Sequence, residues 1–403
     1  MQRIYFICLF LCLTTLAARP AQAQTETVLY SFCSALSCAD GIYPKSSLTS
    51  YGGNYYGTTY TGGVNGEGTV FELSPNGSGG WNETVLYNFS EGTDGANPLA
   101  SVIFDSVGNL YGTMPHGGAY GYGVVFELSP VGASWTETVL YNFCSQADCA
   151  DGEYPVNTLI MDPAGNLYGV TNQGGSTGAG TVFELSPAGG NWTEQVLYSP
   201  GSTTGYGINA GLTMDAAGNI FGATWSTVFE LSPNGKGAWN PTVIHIFDGG
   251  AKDGMGAAGT PVLDKDGNLY GTTIYGATKN LGTVYKLSPV TKGKKKGTWT
   301  VKILHSFKGG LKDGYYPVAG IVFDAAGDIY GTTEYGGKYS DGAVFELVAN
   351  GKGSYKEKVL WSFNGTDGGY PYDSPILDSS GNLYGTTYDG GSHGAGVVYE
   401  VTP

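Results

Sequence analysis

Charge is scarce in this sequence, and positive charge scarcest: only 13% of the 403 residues are Asp, Glu, Lys or Arg, with 34 acids against 19 bases. The net charge of −15 becomes −17 when Arg3 and Arg19 are removed with the N-terminal leader described below. Such a surface repels nucleic acid and anionic lipid, so neither is an expected partner. The single basic run, Lys292 to Lys296 (KGKKK), reads as a solvated loop. After Leu16 no stretch approaches the roughly 18 apolar residues of a membrane-spanning helix, and membrane insertion is not expected. No 11-residue window has helical apolar spacing either, which excludes a helical bundle. Histidine is limited to four residues and cysteine to six. They are too few and too scattered for a metal centre, so neither a metal nor any other cofactor is expected.

What is present begins with a leader. Basic Arg3, the apolar run Ile4 to Leu16 and the small-residue site Ala21-Gln22-Ala23 make residues 1–23 a secretory signal, with mature protein from Gln24. A secreted or periplasmic location follows. Cys8 and Cys12 leave with the leader. The remaining four lie as Cys33/Cys38 and Cys144/Cys149 in the similar segments CSALSCADGIYP and CSQADCADGEYP. In an exported protein that spacing predicts two local disulfides, Cys33–Cys38 and Cys144–Cys149.

One phrase occurs seven times: GNYYGTT, GNLYGTM, GNLYGVT, GNIFGAT, GNLYGTT, GDIYGTT and GNLYGTT. Its aromatic falls at Tyr56, Tyr111, Tyr168, Phe221, Tyr270, Tyr330 and Tyr384. The mean interval is about 55 residues, in the propeller range. Each unit holds four short β-branched or aromatic runs between glycine-rich turns. In the second unit these are Leu99–Phe104, Asn109–Met114, Gly123–Ser129 and Thr136–Phe143, strands A, B, C and D. The D-x-x-G-N turn between A and B, as at Asp105–Asn109, lets the aspartate accept turn N–H groups. The variant at Asp264–Asn268 resembles the start of a calcium loop but lacks its distal glutamate and reads as the same turn. Gly57 and its equivalents in mid-strand B demand a close neighbour. The strand-C aromatics, Phe71, Phe126, Phe183, Phe229, Tyr285, Phe345 and Tyr399, are expected to cover them between adjacent blades.

The chain from Gln24 opens on a D strand, Glu26–Phe32, and closes on a C strand, Gly396–Val401. A ring removes both exposed edges when the first strand completes the last blade. The expected fold is therefore all-β: one seven-bladed β-propeller over residues 24–403, with four antiparallel strands per blade, ring closure by the N-terminal strand burying Val28, Tyr30 and Phe32, and a monomeric state.

Written as G-N-L-Y-G-T-T, a Gly-Gly loop, G-T-V-F-E-L-S-P, a tryptophan and E-T-V-L-Y-N-F, the repeat resembles that of the GloVer tandem-repeat proteins over Thr25 to Pro403. The resemblance implies a bacterial exported protein, often with a C-terminal surface anchor, and no established activity. The chain stops at Pro403 inside its last repeat, so no C-terminal anchor is expected. The order of Gly-Gly, aromatic strand and Trp81, Trp135, Trp192, Trp239 or Trp299 is similar to kelch repeats, which implies the fold alone.

No constellation for catalysis stands out, and no catalytic residue is assigned. Glu72, Glu127, Glu184, Glu230, Glu346 and Glu400 hold one place in strand C and read as cross-strand partners, with Lys286 in the fifth unit. His245 and His305 stand where Tyr87, Tyr141 and Tyr198 stand in other D strands. The D–A and B–C loops share one face and vary. They offer His116, Tyr120, Tyr122, Tyr275, Tyr335, Tyr339, Asp341, Tyr388, Asp389 and His393 as candidate contacts. Tyrosine supplies area and a hydroxyl at low entropic cost, which fits a glycan or protein ligand. In blade 4 the strand-B to strand-C interval shrinks from 15 residues to the 8 between Phe221 and Phe229, which predicts a notch with Trp225 at its floor beside Tyr206. The expectation is a non-catalytic binding or surface-interaction module. A glycan-active enzyme and a purely structural exported protein are the alternatives.

Overall fold

The computed structural model describes residues 24–90, 92–201, 207–235, 237–294, 296–351 and 353–403. The proposed leader, residues 1–23, lies outside them. Four-stranded antiparallel units recur seven times, in the order A-B-C-D from the axis outward. Blade 1 is Thr49–Tyr51, Asn54–Thr59, Thr69–Pro75 and Trp81–Asn88, and blade 4 is Thr213–Met214, Ile220–Ala223, Thr227–Pro233 and Trp239–Ile246. Blade 7 is Ile376–Leu377, Leu383–Thr387 and Val397–Thr402, completed by Thr25–Ser31 from the N-terminus. The ring is thus closed as its strand order requires. Phe32 lies fully buried with Phe71 and Leu48 of blade 1. Among the described residues, no helix is long and apolar enough to cross a membrane.

Strand A is shorter in most blades than the sequence implies, although in blade 3 it runs Glu153–Met161 with a break in register after Val156. In blade 2 only Ile103–Phe104 pairs, rather than Leu99–Phe104. The reason is competition from the neighbouring blade: Thr58 Oγ1 donates to the Ala100 carbonyl at 3.0 Å, and Thr49 Oγ1 donates to that of Val102 at 2.5 Å. The first threonine of the G-T-T phrase repeats this bond from Thr113 to Asn157, Thr272 to Ala319, Thr332 to Asp373 and Thr386 to Ser46. A buried carbonyl must find a donor, and here it comes from across the blade boundary.

The strand-B glycines are explained inside the blade rather than between blades. Gly57 is the direct cross-strand partner of Phe71, and a Cβ on it would lie 2.7 Å from Phe71 Cζ. The same ring then faces the adjacent blade, so the cores between blades are aromatic as expected. Every D strand also carries a β-bulge against strand C. It separates residues that simple alternation would place together: Val28 packs with the core between blades 6 and 7, whereas Tyr30 and Phe32 join the core between blades 7 and 1.

The loop chemistry follows the sequence closely. Asp105 Oδ1 accepts from the backbone N–H groups of Val107, Gly108 and Asn109 at 2.8–2.9 Å, and Asp264 is held likewise by Asp266, Asn268 and Tyr270. Strand-C acids accept the tyrosine hydroxyls opposite them, as in Tyr56 to Glu72 at 3.0 Å. His245 and His305 replace D-strand tyrosines and keep their partner, the D–A loop aspartate, at Asp253 and Asp313. Both local disulfides, Cys33–Cys38 and Cys144–Cys149, are formed.

Candidate functional site

The D–A and B–C loops bridge one another on one face, as Ile42 with Thr61, Ala96 with His116 and Gly369 with Asp389. Where the D–A loop turns into strand A, an aromatic-proline step recurs in four blades. Tyr43, Tyr154, Tyr316 and Tyr370, each just before a proline, have φ between 55° and 60°. A non-glycine residue there carries about 1–2 kcal/mol of strain. The neighbouring blade holds it in place: the Tyr43 N–H donates to Ala395 O, Tyr154 to Tyr122 O, Tyr316 to Leu281 O and Tyr370 to Asp341 O, all at 2.8–3.0 Å. Each ring is thereby fixed at the inner end of a blade boundary.

These rings connect the scattered candidates into a belt. Trp225 lies 6.1 Å from Tyr275, which lies 5.1 Å from Tyr316; Tyr316 is 6.0 Å from Tyr335, and Tyr335 is 5.4 Å from Tyr370. A second group continues across blades 7 and 1. Tyr388 stacks on Tyr43 at 4.6 Å and meets Tyr372 edge-on at 5.4 Å. Lys45 Nζ stands over Tyr60 at 4.6 Å and over Tyr388 at 4.7 Å. The Tyr372 hydroxyl donates to Glu334 Oε1 at 2.9 Å. Asp341 and Asp389 line a cavity of about 290 Å³ with Tyr370 and three glycines.

Burial lowers the Lys45 pKa, while the Glu334 charge opposes that shift. Burial raises the Tyr372 hydroxyl, helped by its bond to Glu334, so it remains a neutral donor. Asp373, in the segment leading into the inner strand of blade 7, accepts from the Ser47 N–H at 2.8 Å, and burial raises its carboxyl. Two ionisable groups that break the repeat, Lys45 and Glu334, therefore meet beside Tyr372, while Asp373 bonds Ser47 and Ser374 instead. The sequence reading overlooked them, together with Tyr43, Tyr60, Tyr370 and Tyr372. The available signal was the Tyr-Pro step recurring at residues 43–44, 154–155, 316–317 and 370–371.

The other candidates sit elsewhere. His116 and Tyr122 both contact Tyr154 between blades 2 and 3. Tyr120, Tyr339 and His393 are exposed loop residues outside either group, His393 bonding Ser392 and Tyr339 lying under Lys338. Tyr206 lies outside the described residues. In blade 4 the short turn closes through Thr224 N–H to Thr227 O at 2.9 Å, leaving Trp225 36% exposed with its ring against Gly256. Among the described residues, no group of three or more His, Cys, Asp or Glu is placed to hold a metal ion.

The profile of the Gloeobacter/Verrucomicrobia repeat matches residues 15–150, 81–227 and 224–403. Among curated proteins, none matches the sequence. Similar solved structures include the extracellular domain of a putative hybrid two-component system of B. thetaiotaomicron, 14% identical, covering 90% of this chain and 39% of that one at a TM-score of 0.52. An ulvan lyase of polysaccharide lyase family PL25 is 11% identical over 89% of this chain and 93% of its own, with a TM-score of 0.51. An ancestral GH74 enzyme is 10% identical over 90% and 48%, with a TM-score of 0.50. The chain spans about two fifths of the first of these proteins, and such identities speak to fold alone.

Proposed function

We propose, for a chain that belongs to the Gloeobacter/Verrucomicrobia repeat family, that it is an exported glycan-binding module working as a monomer, with its site at the axial mouth of blades 6, 7 and 1. The observation that carries this reading is the tyrosine belt ending in the Lys45, Glu334 and Tyr388 group. Aromatic faces take the apolar face of a pyranose, while fixed acids, hydroxyls and an ammonium take its hydroxyls. Because the rings are held by backbone bonds between blades, little side-chain freedom is lost on binding. Trp225 extends the same belt towards blade 4. A glycan array with chain 24–403 tests the reading: a defined set of glycans should bind, and Tyr388→Ala and Trp225→Ala should each weaken them while Tm stays within a few degrees. Binding unchanged in both variants would refute it.

A glycan-active enzyme is the second reading, favoured by the pairing of Lys45 with Glu334, which does not recur in the other blades. Mass spectrometry of a bound glycan after prolonged incubation separates the two. Unchanged mass keeps the binding module, and cleavage establishes the enzyme.

A further inference from the structure

The opposite face, formed by the A–B and C–D turns, carries crevices at blade boundaries whose contents differ. Between blades 2 and 3 a cavity of about 660 Å³ is lined by Asp105 and Tyr111 of blade 2 and by Met161, Gly165, Pro187 and Trp192 of blade 3. Between blades 4 and 5 the corresponding residues, Asp215, Phe221, Leu263, Gly267, Pro289 and Trp299, line one of about 610 Å³. Strand register makes them equivalent: Met161 and Leu263 pair with Leu167 and Leu269, and Pro187 and Pro289 pair with Trp192 and Trp299.

At the boundary of blades 1 and 2 the same place is taken by a side chain of the protein itself. Blade 1 has the shortened turn Tyr51-Gly52-Gly53-Asn54, so Tyr51 stands where Asp105 and Asp215 stand. Its ring stacks on Phe104, the equivalent of Met161, at 4.0 Å and 7°. Its hydroxyl oxygen lies 3.5 Å from where a Cβ on Gly108 would be, and Gly108 is the equivalent of Gly165 and Gly267. Tyr56 meets Phe104 edge-on at 4.7 Å, and Trp135 packs against the same cluster. In the two open crevices the aspartate folds into its own turn instead, accepting backbone N–H groups, and leaves the space free.

We infer that the crevices between blades 2 and 3 and between blades 4 and 5 are binding sites for a phenolic ring, with Tyr51 as the built-in occupant of a third. A flat ring lies against Met161 or Leu263, walled by Trp192 or Trp299, and its hydroxyl reaches the turn glycine as Tyr51 does. This inference concerns the face opposite the proposed glycan site and does not depend on that site.

Chain 24–403 labelled with ¹³C at its methionine methyls gives a resolved test, because Met161 and Met214 line the two crevices, whereas Met114 is buried in a core and Met255 sits in a D–A segment. Titration with p-cresol should shift the Met161 and Met214 signals saturably and leave Met114 and Met255 in place. Trp192→Ala should remove the Met161 response alone. Ser106→Trp, at an exposed rim position, should block the same crevice without removing its wall. Methyl α-D-glucopyranoside should produce no shift. No saturable response at Met161 and Met214, an equal response to the glucoside, or comparable shifts at all four methionines would each overturn the inference.

Discussion

The two sides of the axial mouth are built on the same backbone and differ in what they present. Lys45 and Tyr372 each precede the residue whose carbonyl accepts a strand-B threonine, and at the equivalent positions of blades 2, 3 and 6 stand Leu99, Val156 and Val318. The inter-blade bond is identical in all five cases, so the scaffold does not require charge there. A lysine half-buried among tyrosines costs desolvation, which its cation–π contacts and Glu334 offset only in part. Residues that the fold does not need, at a place where it tolerates aliphatic side chains, point to recognition.

The largest effect should come from removing the strand that completes this sector. A chain beginning at Tyr43 lacks Thr25–Ser31, leaving the edge of Val397–Thr402 open and uncovering the core around Phe32. With each large apolar side chain contributing about 1.5–3 kcal/mol, Tm should fall by about 10 °C or more with aggregation, as read by calorimetry. An unchanged Tm would show that the seam does not hold the ring.

Lys45→Met should sharpen the contrast between the sides. It keeps the stem over Tyr60 and Tyr388 but removes the charge, so affinity for a glycan found on the array should drop about tenfold, equal to roughly 1.4 kcal/mol. Val156→Ala on the apolar side should leave affinity unchanged, as measured by isothermal titration calorimetry. Equal losses would erase the distinction.

One disulfide lies on each side. Replacing either Cys33 and Cys38 or Cys144 and Cys149 by serine should cost about 2 kcal/mol in denaturant unfolding, since each closes a short loop. Only the first pair lies in the loop leading to Tyr43 and Lys45, so only its loss should also weaken glycan binding.

The smallest effect concerns pH. At one position of strand D, blades 7, 1, 2, 3 and 6 carry Glu26, Glu83, Glu137, Glu194 and Glu357, where blades 4 and 5 have Pro241 and Val301. Burial, then the charge of a nearby D–A loop aspartate, pushes Glu26 and Glu83 up to about 8 and the other three up to about 7. Because the folded pKa exceeds the unfolded one, the native state holds the extra protons. Their stabilisation is complete below about pH 4.5 and is lost as pH rises through 7–8. Thermal melts should therefore show Tm falling between pH 5.5 and 9, with a flatter profile for Glu83→Gln. A rising Tm would contradict the assignment.

Much of this was legible in the residues. The G-N-L-Y-G-T-T phrase located strand B seven times, the D-first, C-last order required the seam between Glu26 and Val401, and the two CxxxxC segments fixed both disulfides. His245 and His305 were recognisable as framework because they interrupt a tyrosine column. The bulge that parts Val28 from Tyr30 was not legible, because a one-residue insertion in a ladder leaves the apolar alternation of E-T-V-L-Y-S-F intact. Nor was the shortness of strand A in blades 1, 2 and 6, since its carbonyls are claimed by threonines some 40 to 50 residues away, or by Thr386 across the seam.

The amino-acid sequence by itself determined the number of blades, their strand order, the turns and the closing partner, because each of these rests on short-range spacing and on the need to leave no strand edge unpaired. Only the tertiary structure decided which non-repeating residues share a site. Lys45, Glu334, Tyr372 and Tyr388 lie up to 343 positions apart, and closing the ring through the N-terminal strand places blade 1 against blade 7. Proximity across a closed ring is set by inter-blade packing and the seam, which no local pattern encodes.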